Sequence, residues 1–169
     1  MSNTSAVRVA LTASGTWTEI TDARPTATFT RVRASDLREG QQARSRARAE
    51  VVEVGKDADS VAVFLDIEIH IADDARTARR EFEALKAPER PDSIRYVGTP
   101  SGLAGLIADV KAADVADGVT LIPIGPEQRN LERVVGGVVP WLEDRGVTFS
   151  DDAVVSATGS RLPSRVLAS

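Results

Sequence analysis

Cysteine is absent from this 169-residue chain, and histidine occurs once. Without cysteine there is no disulfide, no thiolate nucleophile and no thiolate metal site. One histidine, His70, excludes a multi-histidine metal centre within a single chain. No apolar run approaches the roughly 18–20 residues that span a bilayer. A basic excess is also missing: the net charge is −4 and the isoelectric point about 5.1. That argues against electrostatic nucleic-acid binding, which needs a cationic face to neutralise phosphates. The opening stretch, Met1–Ala6, is short and polar and lacks the cationic start and apolar core of a secretory signal, so a cytoplasmic location is expected. There is no serine nucleophile elbow, no Walker loop, no GxGxxG, no low-complexity stretch and no sequence repeat.

What is present is globular: 42% hydrophobic and 27% charged residues, enough for one domain with a real core. Four strand-like runs, Val7–Thr12, Ala27–Val32, Val61–Ile71 and Val119–Ile124, are each followed by a helix-patterned stretch. The third is the strongest. Leu65, Ile67, Ile69 and Ile71 point one way, and Asp66, Glu68 and His70 the other. Ser35 reads as the N-cap of a long helix that ends at Gly55, with Asp36 and Glu39 in its first turn. Asp73-Asp74 opens Ala75–Lys86. Thr99 caps Ser101–Asp114 with Pro100 at its first position, and that helix buries Leu103, Leu106, Ile107 and Val110. Leu131, Val134, Val135 and Val138 form a further apolar stripe, which Pro140 must break or kink. Ala87–Ser93, with Pro88 and Pro91, reads as an extended linker. The boundaries expected are a half-barrel at 1–146 and a loosely packed or partner-contacting tail at 147–169.

Four constellations could carry chemistry. The turn Ala13-Ser14-Gly15-Thr16 sits between a strand and a short helix suggested by Thr16 and Glu19, which are spaced as a capping box. Small residues at a helix start favour a phosphate, and they also favour a plain turn. Asp66, Glu68 and His70 share one strand face. They read either as cation ligands or an acid/base pair, or as the ordinary polar side of a strand. Gly98-Thr99-Pro100 is accounted for as a cap. Arg31 and Arg33 close the second strand, where an arginine meets an anion or pairs with Asp36 or Asp66.

Several stretches together resemble one family. They are Val7–Thr16, Thr26–Arg33 (TATFTRVR), Val63–Thr77 (VFLDIEIHIADDART), Tyr96–Ile107 (YVGTPSGLAGLI) and Asp117–Gly146 (DGVTLIPI followed by VVPWLEDRG). Over about residues 7–146 the chain resembles the C-terminal half of the luciferase-like, flavin-dependent monooxygenases, the superfamily of bacterial luciferase and nitrilotriacetate monooxygenase. Arg161-Leu162-Pro163 is similar to that family's C-terminal end. The resemblance implies an α/β fold: a partial TIM-type barrel of about four parallel strands with helices, equivalent to the second half of an eight-stranded barrel. It implies FMN or deazaflavin as cofactor, its phosphate held by Ser14, Gly15 and Thr16. It implies oxygen-dependent oxidation of a small organic substrate. It carries over no catalytic residue, because the absent first half supplies most of that site.

Half a barrel leaves an apolar inner face and two raw edges. Three ways of covering them are expected: a second copy, making a homodimer; a separately encoded N-terminal half-barrel; or strands that curl, with the tail from Val147 plugging the opening. An alternative is a truncated, non-catalytic relative acting as a flavin-holding or protein-interaction module.

Overall fold

The computed structural model describes residues 6–163. The reading of Met1–Ala6 therefore lies almost wholly outside the described residues, as does the end of the tail, 164–169.

Among the described residues six strands form one sheet: β1 (Arg8–Ala13), β2 (Thr16–Glu19), β3 (Thr28–Val32), β4 (Val61–Ile71), β5 (Ile94–Gly98) and β6 (Gly118–Pro123). The helices are α1 (Leu37–Glu53), α2 (Ala75–Leu85), α3 (Pro100–Ala112), α4 (Glu127–Arg133), α5 (Val139–Glu143) and α6 (Asp151–Thr158). The sheet order is β2-β1-β6-β4-β3, with β5 also paired to β4. Every pairing is parallel except β1 with β2. The fold is thus α/β with a mixed sheet, five parallel strands and one antiparallel strand replacing the expected four. The last strand, β6, lies between β1 and β4, whereas successive barrel units would pair in chain order.

Two expectations fail locally, and the reasons are physical. Thr16–Glu19 is a strand rather than a helix start. Ser14 and Gly15 both take positive φ, 50° and 78°. Two such residues make the tight turn that sends a strand straight back along its neighbour, pairing Ala13 with Thr16 and Ala10 with Glu19. Ile94–Gly98 is a strand although prolines and a cap surround it, and it adds to the far half of β4, from Ile67 to Ile71.

β4 is buried at all eleven positions, with two different faces. Leu65, Ile67 and Ile69 join Val9, Leu11, Val119 and Leu121 in the main core, against Leu103, Ile107 and Val110 of α3 and Val138 and Leu142 near α5. The close fit of strands needs Gly118. A Cβ there would stand 2.6 Å from the Arg8 carbonyl oxygen and 2.7 Å from Phe64. Pro140 is accommodated by a π-helical turn, Val134–Val138, placed just ahead of it. Residues expected as a loose tail enter the same core: Val147, Phe149, Val154 and Leu162 are buried. Ser150 N–H donates to the Ile20 carbonyl at 2.8 Å.

The second face curls. β2 and β3 are four strand steps apart, which in a flat sheet is about 19 Å at about 4.8 Å per step. Yet the Trp17 and Phe29 rings stack with centroids 4.4 Å apart and planes 7° from parallel. Only a strongly curved sheet brings its two edge strands within reach of that contact. Phe64 meets both rings edge-on, at 5.2 and 6.0 Å. Trp17 Nε1 donates to Thr120 Oγ1 at 2.9 Å. Ala10 and Ala62 complete this small cluster, their short side chains leaving room for the rings.

Candidate functional site

In parallel α/β architectures ligands gather at the C-terminal ends of the strands. Here that end of the curled face is ionic. The alternation that puts Phe64 in the aromatic cluster continues through Asp66, Glu68 and His70, all buried. Arg31 reaches from β3 and grips Asp66 with two bonds, Nε to Oδ1 at 3.0 Å and Nη2 to Oδ2 at 3.1 Å. Arg95, opposite Glu68 in the β4–β5 register, donates through Nη2 to Glu68 Oε2 at 3.2 Å and to the Pro88 carbonyl at 2.9 Å. His70 bonds the Ile124 carbonyl through Nδ1 at 3.1 Å and Glu81 Oε2 of α2 through Nε2 at 2.9 Å. The three polar residues of β4 therefore have separate partners rather than one shared ligand. Among the described residues no group of three histidine or acidic side chains could hold a metal ion.

The His70 hydrogen bond, with Arg129 and Arg133 nearby, holds the Glu81 carboxyl below its ordinary value. A depressed carboxylate stabilises the fold fully above its unfolded value and loses that contribution as pH falls through the lower folded value. Glu81→Gln is therefore expected to be less stable than the parent at neutral pH. The gap should close as pH falls below 4.5, the carboxyl's ordinary value. Parallel urea titrations across that range check it; a gap independent of pH would contradict it.

The Ser14-Gly15-Thr16 turn stands at the C-terminal end of β1, the end expected. It is a hairpin turn, so no helix begins at it. The Ser14 N–H donates to Glu127 Oε1 at 2.9 Å. A phosphate approaching this turn meets a carboxylate already in place, with the first turn of α4 behind it. Arg33 stands beyond β3, 3.6 Å from Asp92. Thr99 caps α3, accepting from Gly102 N–H at 3.2 Å, and Pro100 holds the first position. The Tyr96 hydroxyl donates to the Thr99 carbonyl at 2.9 Å. It packs so closely on Gly98 and Gly102 that a Cβ at either would overlap it. The Gly-Thr-Pro-x-Gly run is thus a packing unit around Tyr96.

Two cavities matter. The larger, about 800 Å³, lies at the N-terminal ends of the strands, bordered by Arg8, Thr26, Arg44, Val61 and Asp117. The smaller, about 260 Å³, lies on the ionic face at the C-terminal side, between Glu68, Arg95 and Ile124. The sequence did not single out Arg8, Arg95 or Asn130, and it read Arg44, with Arg46 and Arg48, as a solvated helix face rather than an anion site. Arg8 grips Glu19 at 2.6 Å, and Arg44 meets Asp117 at 3.0 Å. Their one visible signal is a charged residue beside an apolar run, which surface residues share.

No protein-family model and no curated protein matches the sequence. Solved structures do match in fold. One is a long-chain alkane monooxygenase, LadA, at 13% identity and TM-score 0.57, covering 71% of this chain and 37% of that one. Another is the EDTA monooxygenase EmoA from Chelativorans sp. BNC1, at 19% identity and TM-score 0.57, covering 78% and 44%. A third is the riboflavin lyase RcaE with modified FMN and its substrate riboflavin, at 14% identity and TM-score 0.58, covering 92% and 54%. The chain spans about 37–54% of the length of these proteins. No helix among the described residues is long and apolar enough to cross a membrane. The curled α/β sheet of this chain is a fold shared with part of these enzymes.

Proposed function

We propose that the chain is a partial-barrel relative of the luciferase-like, flavin-dependent monooxygenases. In this reading it contributes one wall of a reduced-flavin site for oxygen-dependent oxidation of a small organic substrate. The observation that carries this reading is the lopsided overlap: most of this chain matches well under two thirds of two monooxygenases and of a riboflavin lyase solved with modified FMN. FMN is the preferred flavin, with deazaflavin as the alternative; the isoalloxazine would supply the redox chemistry. The chain's own residues would orient it. The Ser14-Gly15-Thr16 turn offers backbone N–H groups to the phosphate once Glu127 swings away. The small C-terminal cavity is below the roughly 300–1,000 Å³ of drug-sized ligand sites, so a partner is needed to enclose a flavin. That partner is a second copy or a separately encoded N-terminal half-barrel. β3 is the open edge to which it would add, and Phe29 on that strand is 51% exposed.

A second reading has its own support. The curled face is filled by the aromatic cluster and by ion pairs, as suits a relative that has given up catalysis and acts as a flavin-holding or protein-interaction module.

Anaerobic titration with reduced FMN separates the two readings. The enzyme reading expects saturable binding by the assembled protein. Glu127→Gln should tighten it about three- to fivefold, the scale of one exposed charge contact. Gly15→Glu, which adds an anion at the turn, should weaken it at least about tenfold. Oxygen consumption should follow binding. A folded protein that ignores reduced FMN, with Glu127→Gln equally inert, leaves only the interaction-module reading.

A further inference from the structure

Beside the C-terminal cavity, three polar atoms are buried without a protein partner: Glu68 Oε1, Ser93 Oγ and Arg95 Nε. They belong together. Glu68 and Arg95 are register neighbours, and Ser93 lies two residues before Arg95 on the same face. Such orphans forfeit the hydration of a polar atom without a bond in return, and native structures carry few of them. The cavity above them, about 260 Å³, is rimmed by Arg33 and Arg90 and walled by Pro88 and Ile122.

We propose that this cavity is a binding site for a small hydroxycarboxylate. The three orphans demand a group that donates to Glu68 Oε1 and accepts from Arg95 Nε or Ser93 Oγ. A hydroxyl does both, whereas an ammonium cannot accept from Arg95 and a bare carboxylate cannot donate to Glu68. The arginines at the rim take the carboxylate. The orphan atoms are themselves covered, so the hydroxyl reaches them when the Arg95 guanidinium turns. The bond it gives up is the longer of its two, 3.2 Å to Glu68, while 2.9 Å to the Pro88 carbonyl remains as the pivot. This site needs neither flavin nor the Ser14 turn, so it stands or falls separately from the reading above.

The test is amide NMR of the full chain titrated with lactate and malate, against propionate and succinate as their deoxy counterparts. Saturable shifts are expected at Glu68, Ser93, Arg95, Ile122 and Ile124, with each deoxy acid about tenfold weaker, the loss expected for one buried hydrogen bond left unmade. Ser93→Ala should narrow that preference, and Arg90→Ala should weaken acid and deoxy acid alike. Both variants lie at the rim or off the main core, and their spectra report whether they fold. Equal binding of lactate and propionate would mean a plain anion contact on exposed arginines and would overturn the proposal. So would the absence of saturable shifts, with an ordered water meeting the three atoms instead.

Discussion

Phe64→Ala is expected to cost about 3–5 kcal/mol of folding free energy, the range for emptying a large buried aromatic. Phe64 is wholly buried and meets Trp17, Phe29 and the Arg8 guanidinium. Its ring stands under a stack made by the two edge strands, so the loss is more than a cavity. Without it the Trp17–Phe29 stack has no floor, and the curl of the sheet loses the contact that holds β2 and β3 toward each other. Trp17 fluorescence should shift red in the folded variant, and urea denaturation should give the free energy. Phe64→Leu, which keeps apolar volume, should recover more than half of the loss. A cost under about 1 kcal/mol would mean that the aromatic cluster is incidental to the curvature.

Asn130→Leu should also be damaging, at about 2–3 kcal/mol, although leucine is of similar size. The Asn130 side chain is buried in the middle of α4. Its Oδ1 accepts the Ile71 N–H at 2.9 Å, and its Nδ2 donates to the carbonyls of Ile124 and Pro126, each at 3.1 Å. One amide thus joins the end of β4 to the loop after β6 and to its own helix. Leucine would leave the buried Ile71 N–H without a partner, at about 1–3 kcal/mol, and would take one of two partners from the Ile124 carbonyl, which keeps His70. Hydrogen exchange should show the Ile71 amide losing protection first. Unchanged protection there would contradict the role given to Asn130.

Much of this architecture was legible because burial writes itself into side-chain spacing. The alternation from Leu65 to Ile71 assigned both faces of β4 correctly, and Arg31 does pair with Asp66, one of two acids within its foreseen reach. Thr99 and Pro100 open α3 as read. α1 begins one residue later than read: Asp36 is its cap, and Glu39 turns back to Ser35. β2 was hidden because Thr16 and Glu19 carry the spacing of a capping box. Only the φ angles of Ser14 and Gly15 decide between a helix start and a hairpin, and the neighbouring β1 sets those angles. β5 was hidden by its brevity and by the prolines before it. Nor does any local pattern place β6 between β1 and β4 or bring Trp17 onto Phe29. Those are long-range contacts, and Asn130, in an unremarkable polar helix turn, takes its meaning from the same distance.

The candidate site divides in the same way. Residue types named Asp66, Glu68 and His70 as a polar face but could not say that each has its own cation or carbonyl. Glu127, far along the chain, is what changes the character of the Ser14 turn.

Sedimentation velocity of the purified chain, repeated along an anaerobic titration with reduced FMN, tests the account most directly. Flavin should travel with an assembled species of two copies and should populate that species as it saturates. A well-folded monomer at every flavin concentration, with all of the FMN sedimenting free, would contradict the claim that this curled sheet is one wall of a flavin site.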